Sequence, residues 1–223
     1  MTSRSLLLSS SYFPPVHYIA LAASAEKLLI EKEENYIKQS YRNRCQILSA
    51  NGPLSLSVPV LLGSFHKTPV KDIRIDYSKR WQQIHLGAII SSYKASPYYE
   101  FYFEKIRDVI LSGDDFLLDL NMNSLEVAMS ITGITLKVEY TGEFQPSGTD
   151  TSDYRYTISP KKRDEEKKFS FSQYQQVFSD RYNFVPGLSI IDLIFNSGPD
   201  SLKYLTGTTI RSGTLYSGTS YRV

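Results

Sequence analysis

The sequence predicts an α/β fold: a single domain with a mixed sheet, an opening strand–helix–strand unit and three central helices. Three observations carry that expectation. Two apolar runs, residues 5–11 and 27–31, flank a segment opened by Pro14 and Pro15. Proline suits a first helical turn, because its missing amide would have no helical partner there. Leu54, Leu56 and Val58 alternate with Ser55 and Ser57, the period-two mark of a half-buried strand. Between residues 79 and 132, apolar side chains recur at helical spacing in three stretches divided by Pro97, Gly113 and Gly133.

Taken in order, residues 5–11 read as a strand, 16–23 as a helix and 27–31 as a strand that completes a parallel unit with the first. Residues 41–50 make a further strand, and Asn51, Gly52 and Pro53 form a turn into a strand over 54–60. Residues 73–77 alternate in the same way. The helix over 79–93 sets Trp81, Ile84, His85, Ala88 and Ile89 along one stripe. A second helix starts beyond Pro97 and runs to about residue 111, and a third runs from about 120 to Thr132, with Gly133 in the C-terminal stop position. Residues 134–140 return to strand.

Residues 142–168 change character. Pro, Gly, Ser and Thr lead into a run of Lys, Arg, Asp and Glu over 161–168 with no apolar face, read as a mobile loop or solvated linker. Order resumes at Phe169, and residues 187–196 form a helix capped by Ser189, ended by Gly198 and Pro199 and followed by one more turn. The Gly-, Ser- and Thr-rich end is expected to fray or to carry a short strand. The division is thus a 1–141 α/β core, a 142–168 loop, and a 169–223 helical segment packed on the core.

With 223 residues, 41% of them hydrophobic, the chain is long enough for one substantial core. A net charge of +2 offers no global attraction for nucleic acid. One cysteine, Cys45, cannot build a disulfide framework and fits a reducing, cytoplasmic setting. One cysteine and three scattered histidines supply no zinc-ligand spacing, so neither metal nor cofactor is expected. No window approaches the ~18–20 apolar residues of a membrane span. No phosphate-cradling glycine loop or nucleophile elbow is present.

The chemistry-bearing residues concentrate between Tyr36 and Tyr99. Lys38, Arg42, Asn43 and Arg44 lie among Tyr36 and Tyr41, and guanidinium forks bind phosphate or carboxylate in pairs of bonds; a strand edge with snorkelling side chains is the other reading. Trp81 and His85, four residues apart, share a helix face. His85 is either a general acid or base or a core histidine held by a backbone carbonyl. His66 and Lys67 sit on a loop, where polar residues often carry function. Asp192 interrupts an apolar helix and needs a partner if buried. Pairing with Arg42 or Arg44, orienting a histidine and holding a substrate amine are its open roles. Seventeen tyrosines suit sugar or nucleotide contacts, or a core with wet edges.

In this order the segments resemble the WbqC-like protein family over nearly the whole chain. The resemblance rests on Tyr12, Phe13, Pro14 and Pro15 after the first strand, on Tyr36 to Arg44, and on Leu56, Val58 and Pro59. It continues through Trp81, His85, Tyr93, Pro97, Tyr98 and Tyr99. Its most specific part runs from Phe184 and Pro186 through Asp192 to Gly198 and Pro199. The resemblance implies transfer of a small acyl or aminoacyl group onto an activated amino sugar in surface-polysaccharide or O-antigen biosynthesis. A non-catalytic sugar- or nucleotide-binding protein of the same pathway is the alternative. The implied partners are a nucleotide-linked or free sugar and a small donor. On this reading His85 is the base, Asp192 an orienting carboxylate, and Tyr12, Lys38, Arg42, Asn43, Arg44, Lys67, Trp81 and Tyr93 bind substrate.

Overall fold

The computed structural model describes residues 5–61, 67–144, 152–160 and 167–211. At its centre β1 (Ser5–Ser9) pairs in parallel with β2 (Lys27–Glu31) across helix α1 (Val16–Ala23). Leu6, Leu7 and Leu8 are all buried, as befits a strand covered on both faces. Pro15 precedes α1 in an extended conformation and its carbonyl accepts from Tyr18 and Ile19. The expected opening unit is therefore present.

Parallel and antiparallel pairing both occur, but they are segregated. The four-stranded sheet, in the order β7-β2-β1-β8, is parallel throughout; β7 spans Lys137–Tyr140 and β8 Ser152–Asp153. Antiparallel pairs form separately: β3 (Arg44–Ser49) with β4 (Gly52–Ser57), and β5 (Val60–Leu61) with β6 (Arg74–Ile75). A third joins β9 (Phe169–Ser170) to β10 (Thr209–Ile210). Three central helices follow: α2 (Trp81–Tyr93), α3 (Tyr99–Ile110) and α4 (Leu117–Thr132). α4 ends on Gly133 at φ 72°, a left-handed stop that suits glycine. Among the described residues no helix is long and apolar enough to cross a membrane.

Residues 142–168 depart from the expected loop where they are described. β8 adds a strand to the main sheet, and Arg155, Thr157 and Ile158 are buried. Two residues of strand are too short to show a period, which is why the sequence reads as linker. Most of the charged run over 161–168 lies outside the described residues.

The helix that follows residue 189 packs into the core. α5 (Ile190–Ser197) is buried from Ile190 to Phe195, and Ser189 caps it by accepting from the Ile191 amide. Gly198, at φ 47°, ends it against the Tyr98 ring, and a Cβ there would lie 2.4 Å from a ring carbon. Positive φ and overpacking both oppose any larger residue. Gly198→Ala should therefore destabilise the protein by about 2–4 kcal/mol, read as a lowered urea midpoint. Unchanged stability would mean that Tyr98 moves freely. α6 (Ser201–Thr206) then packs on α1.

Candidate functional site

The carboxyl ends of all four parallel strands meet at one edge. Ser9 ends β1, Glu31 ends β2, Thr141 follows β7 and Arg155 follows β8. β2 and β8 lie on opposite sides of β1, so this edge is the place where connections diverge and where open α/β sheets bind ligands.

Two buried arginines organise it. Arg42 holds Glu34 through Nε at 2.8 Å and Nη2 at 2.6 Å, and donates to Ser9 Oγ at 2.7 Å. Arg155 holds Asp153 at 3.0 and 2.7 Å and reaches Glu31 at 3.1 Å. Thr141 donates to the other Glu31 oxygen at 2.6 Å, Tyr18 donates to the Ser9 carbonyl at 2.9 Å, and Ser9 Oγ donates to the Arg155 carbonyl. Burial pushes the Tyr18 phenol well up. The cavity between them, lined by Ser9, Ser11, Tyr18, Tyr41, Arg42 and Arg155, has a volume of about 10 Å³, room for about one water molecule.

The loop joining β1 to α1 carries the second half of the site. Phe13 has φ 37°, a sparsely populated conformation for a bulky residue, of the kind held at functional loops by their surroundings. Here Ser124 Oγ accepts from its amide at 3.1 Å and Ser189 Oγ donates to its carbonyl at 2.8 Å. Tyr12 turns the other way, onto Trp81 and His85, with ring centroids 6.4 and 5.7 Å apart. His85 Nε2 lies 3.2 Å from the Ser57 carbonyl and Nδ1 lies 3.0 Å from the Tyr12 hydroxyl. A carbonyl only accepts, so Nε2 carries the proton and Nδ1 accepts from Tyr12. Burial pushes the His85 pKa down to about 4.

The predicted residues divide into groups. Tyr12, Trp81 and His85 touch one another, and the Tyr12 amide donates to the Tyr41 carbonyl, next to Arg42 and Asn43. Asn43 is buried and donates to the Val58 carbonyl at 2.9 Å. Arg42 turns to Ser9 and Glu34. Arg44, half-buried, sits opposite Ser57 in the β3–β4 pair. Lys38 and Lys67 are exposed, and His66 lies outside the described residues.

Asp192 pairs with neither Arg42 nor Arg44, and it does not orient His85. Its oxygens accept from Tyr93 at 2.8 Å, Tyr174 at 2.7 Å and Gln176 at 3.1 Å. Burial pushes its pKa up to about 6 against those three donors. Tyr93 stands eight residues beyond His85 on α2, about 12 Å along the axis, so Asp192 belongs to a separate buried cluster. Neutral hydroxyl and amide donors take the place of the expected cation, joining α2 and α5 to the segment around Tyr174.

Sequence reasoning missed Glu31, Glu34, Asp153, Arg155 and Asn121. Glu31 and Glu34 bracket the end of a strand, the one available signal; Arg155 lies in a polar stretch without period. Elsewhere a groove of about 530 Å³ runs between α4 and β7, lined largely by apolar residues including Leu125, Met129, Leu136 and Val138.

A profile of the WbqC-like protein family matches residues 9–167 and 155–204. The chain belongs to that family. It is also 25% identical over 228 aligned positions to the "Uncharacterized protein Rv1507c" of Mycobacterium tuberculosis (strain ATCC 25618 / H37Rv), covering 89% of this chain and 96% of the other. No solved structure matches significantly.

Proposed function

We propose that this protein binds an amino sugar, free or nucleotide-linked, at the β1–α1 loop and transfers a small acyl or aminoacyl group onto its amine. Such a step would serve surface-polysaccharide or O-antigen biosynthesis in the cytoplasm. The observation that carries the reading is the convergence of hydroxyls, buried charges and aromatic rings on that one loop at the carboxyl edge of a parallel sheet. Hydroxyl-rich ligands need many donors and acceptors, and their rings stack on aromatic faces.

In the reaction the amine nitrogen attacks the acyl carbon. A C–N bond forms, the bond from the acyl carbon to its carrier breaks, and the carrier leaves with the electron pair. The amine proton needs an acceptor. His85 is assigned that role through Tyr12, whose hydroxyl passes its proton to Nδ1 as it takes one from the amine. Burial pushes the Tyr12 phenol well up, so the two transfers must be concerted. The Ser57 carbonyl, in place of Asp192, holds the ring. Burial of Tyr12 also requires the loop or Trp81 to yield as substrate enters.

A non-catalytic sugar binder is the second reading, and the engagement of both His85 nitrogens within the protein favours it. Thermal-shift measurements with amino sugars, nucleotide sugars and acyl donors separate the two, since a ligand at 100 times its Kd adds about 2.7 kcal/mol. Mass spectrometry of the same mixtures should show an acylated amino sugar. His85→Gln should lower turnover ~10²–10⁴-fold while remaining folded. Stabilisation by a sugar with no product would favour the binder, and no stabilisation by any amino sugar contradicts both.

A further inference from the structure

Three buried polar atoms on residues linked to the β1–α1 loop have no partner among the described residues: Oδ1 of Asn43, Oδ1 of Asn121 and Nε1 of Trp81. Buried polar groups in folded proteins are nearly always satisfied, so each of these calls for an explanation. The orientation of the amides is fixed. Asn43 Nδ2 donates to the Val58 carbonyl at 2.9 Å, and Asn121 Nδ2 donates to the Arg42 carbonyl at 2.8 Å and to Ser10 Oγ at 3.1 Å. Because a carbonyl cannot donate, the oxygen is the unused end in both residues.

Each of the three residues is tied to the β1–α1 loop or to the segment bonded to it. Asn121 is held on Arg42, immediately before Asn43, and on Ser10, two residues before Tyr12. Trp81 packs edge-on against Tyr12. Their exposures are 8% for Asn43, 1% for Asn121 and 3% for Trp81, too little for bulk water to satisfy them.

We infer that Asn43, Asn121 and Trp81 are the contacts that read the ring of the amino sugar. This rests on the reading of the loop as a sugar site and specifies which part of the ligand enters it. Two amide oxygens demand donors, and one indole N–H demands an acceptor. Adjacent hydroxyl and amine groups on a sugar ring supply both kinds. Inorganic phosphate presents chiefly acceptor oxygens and only one or two O–H donors at neutral pH, so it matches two amide oxygens and one N–H less well than a sugar ring does. The sugar ring therefore occupies this position. The phosphates of a nucleotide-linked substrate lie elsewhere, beside Arg44, whose Nε is also unpartnered.

Trp81 is the chain's single tryptophan, so tryptophan emission, excited selectively over the tyrosines, reports on this position alone. Glucosamine should change the Trp81 emission in a saturable way, and inorganic phosphate at equal concentration should not. Trp81→Phe keeps an aromatic ring and removes the N–H together with the smaller ring of the indole, and calorimetry should show glucosamine binding about tenfold more weakly. Unchanged affinity in this variant overturns the inference, whatever its melting temperature. So does a wild-type protein that binds glucosamine with constant emission, in which case the sugar reading stands and these contacts fall. Failure of the wild type to bind either glucosamine or a nucleotide-linked amino sugar removes the sugar reading and the inference together.

Discussion

Replacing Arg42 with methionine should destabilise the protein by about 3–5 kcal/mol, the usual consequence of removing one partner from a buried ion pair. Glu34 is 1% exposed and holds both guanidinium bonds, so the variant leaves a carboxylate buried without its cation. Ser9, at the end of β1, loses a charged donor in the same step. The loss should appear as a fall in melting temperature of about 6–20 °C. Arg42→Met combined with Glu34→Leu should recover most of it, because an apolar pair of similar bulk replaces a buried ion pair at little cost. A single variant as stable as wild type would show that Glu34 finds another cation. A double variant no better than the single would show that Arg42 acts mainly through Ser9.

Acid should destabilise the protein between pH 6.5 and 4, and two histidines should be the reason. Burial pushes His17 down to about 3 and His85 to about 4, against about 6.5 in an unfolded chain. In that window the unfolded state binds two protons that the folded state does not, so stability falls as pH falls. Asp192 opposes them. Raised to about 6 from 3.8, it holds a proton in the folded state that the unfolded chain has released, so its contribution grows as pH falls through 6. The net is one proton, or about 1.4 kcal/mol per pH unit, and about 3 kcal/mol between pH 6 and pH 4. Urea unfolding at pH 7, 6, 5 and 4 measures it. With His17→Phe and His85→Gln combined, Asp192 is the fully buried carboxyl left with a raised pKa, and the slope near pH 6 should reverse so that mild acid stabilises. A wild-type stability flat across this range, or a double variant that keeps the original slope, would show that these groups titrate alike in both states.

The fold was largely legible because its signals are local. Pro15 before Val16, Gly133 after Thr132 and Ser189 before Ile190 each mark a helix end by backbone chemistry, and the structure puts the ends there. The helical stripe on α2 was read less well: Ile84 is 64% exposed although Trp81, His85 and Ile89 are buried. β8 was invisible because its two residues are placed by pairing with Leu6 and Leu7, nearly 150 positions away.

The site was legible only in part, for the same reason. Tyr12, Trp81 and His85 stood out as residue types and do meet. The partners that decide their chemistry did not stand out. Arg42 looked like a free cation because Glu34 is brought to it by the chain's return after β2. Asp192 looked in need of a cation because nothing local announces that Tyr93, Tyr174 and Gln176 converge on it. Asn121 gave no signal, since one asparagine in a helix is ordinary until its contacts are known.

The central claim, that the loop between β1 and α1 is where this protein meets an amino sugar, is tested most directly by a crystal structure of the full chain with glucosamine. The account predicts the sugar against Tyr12, its hydroxyl or amine groups within hydrogen-bond distance of Asn43 Oδ1 and Asn121 Oδ1, and a ring or hydroxyl oxygen on Trp81 Nε1. Glucosamine seated instead in the groove between α4 and β7, with Tyr12, Trp81 and Asn121 unchanged, would contradict it.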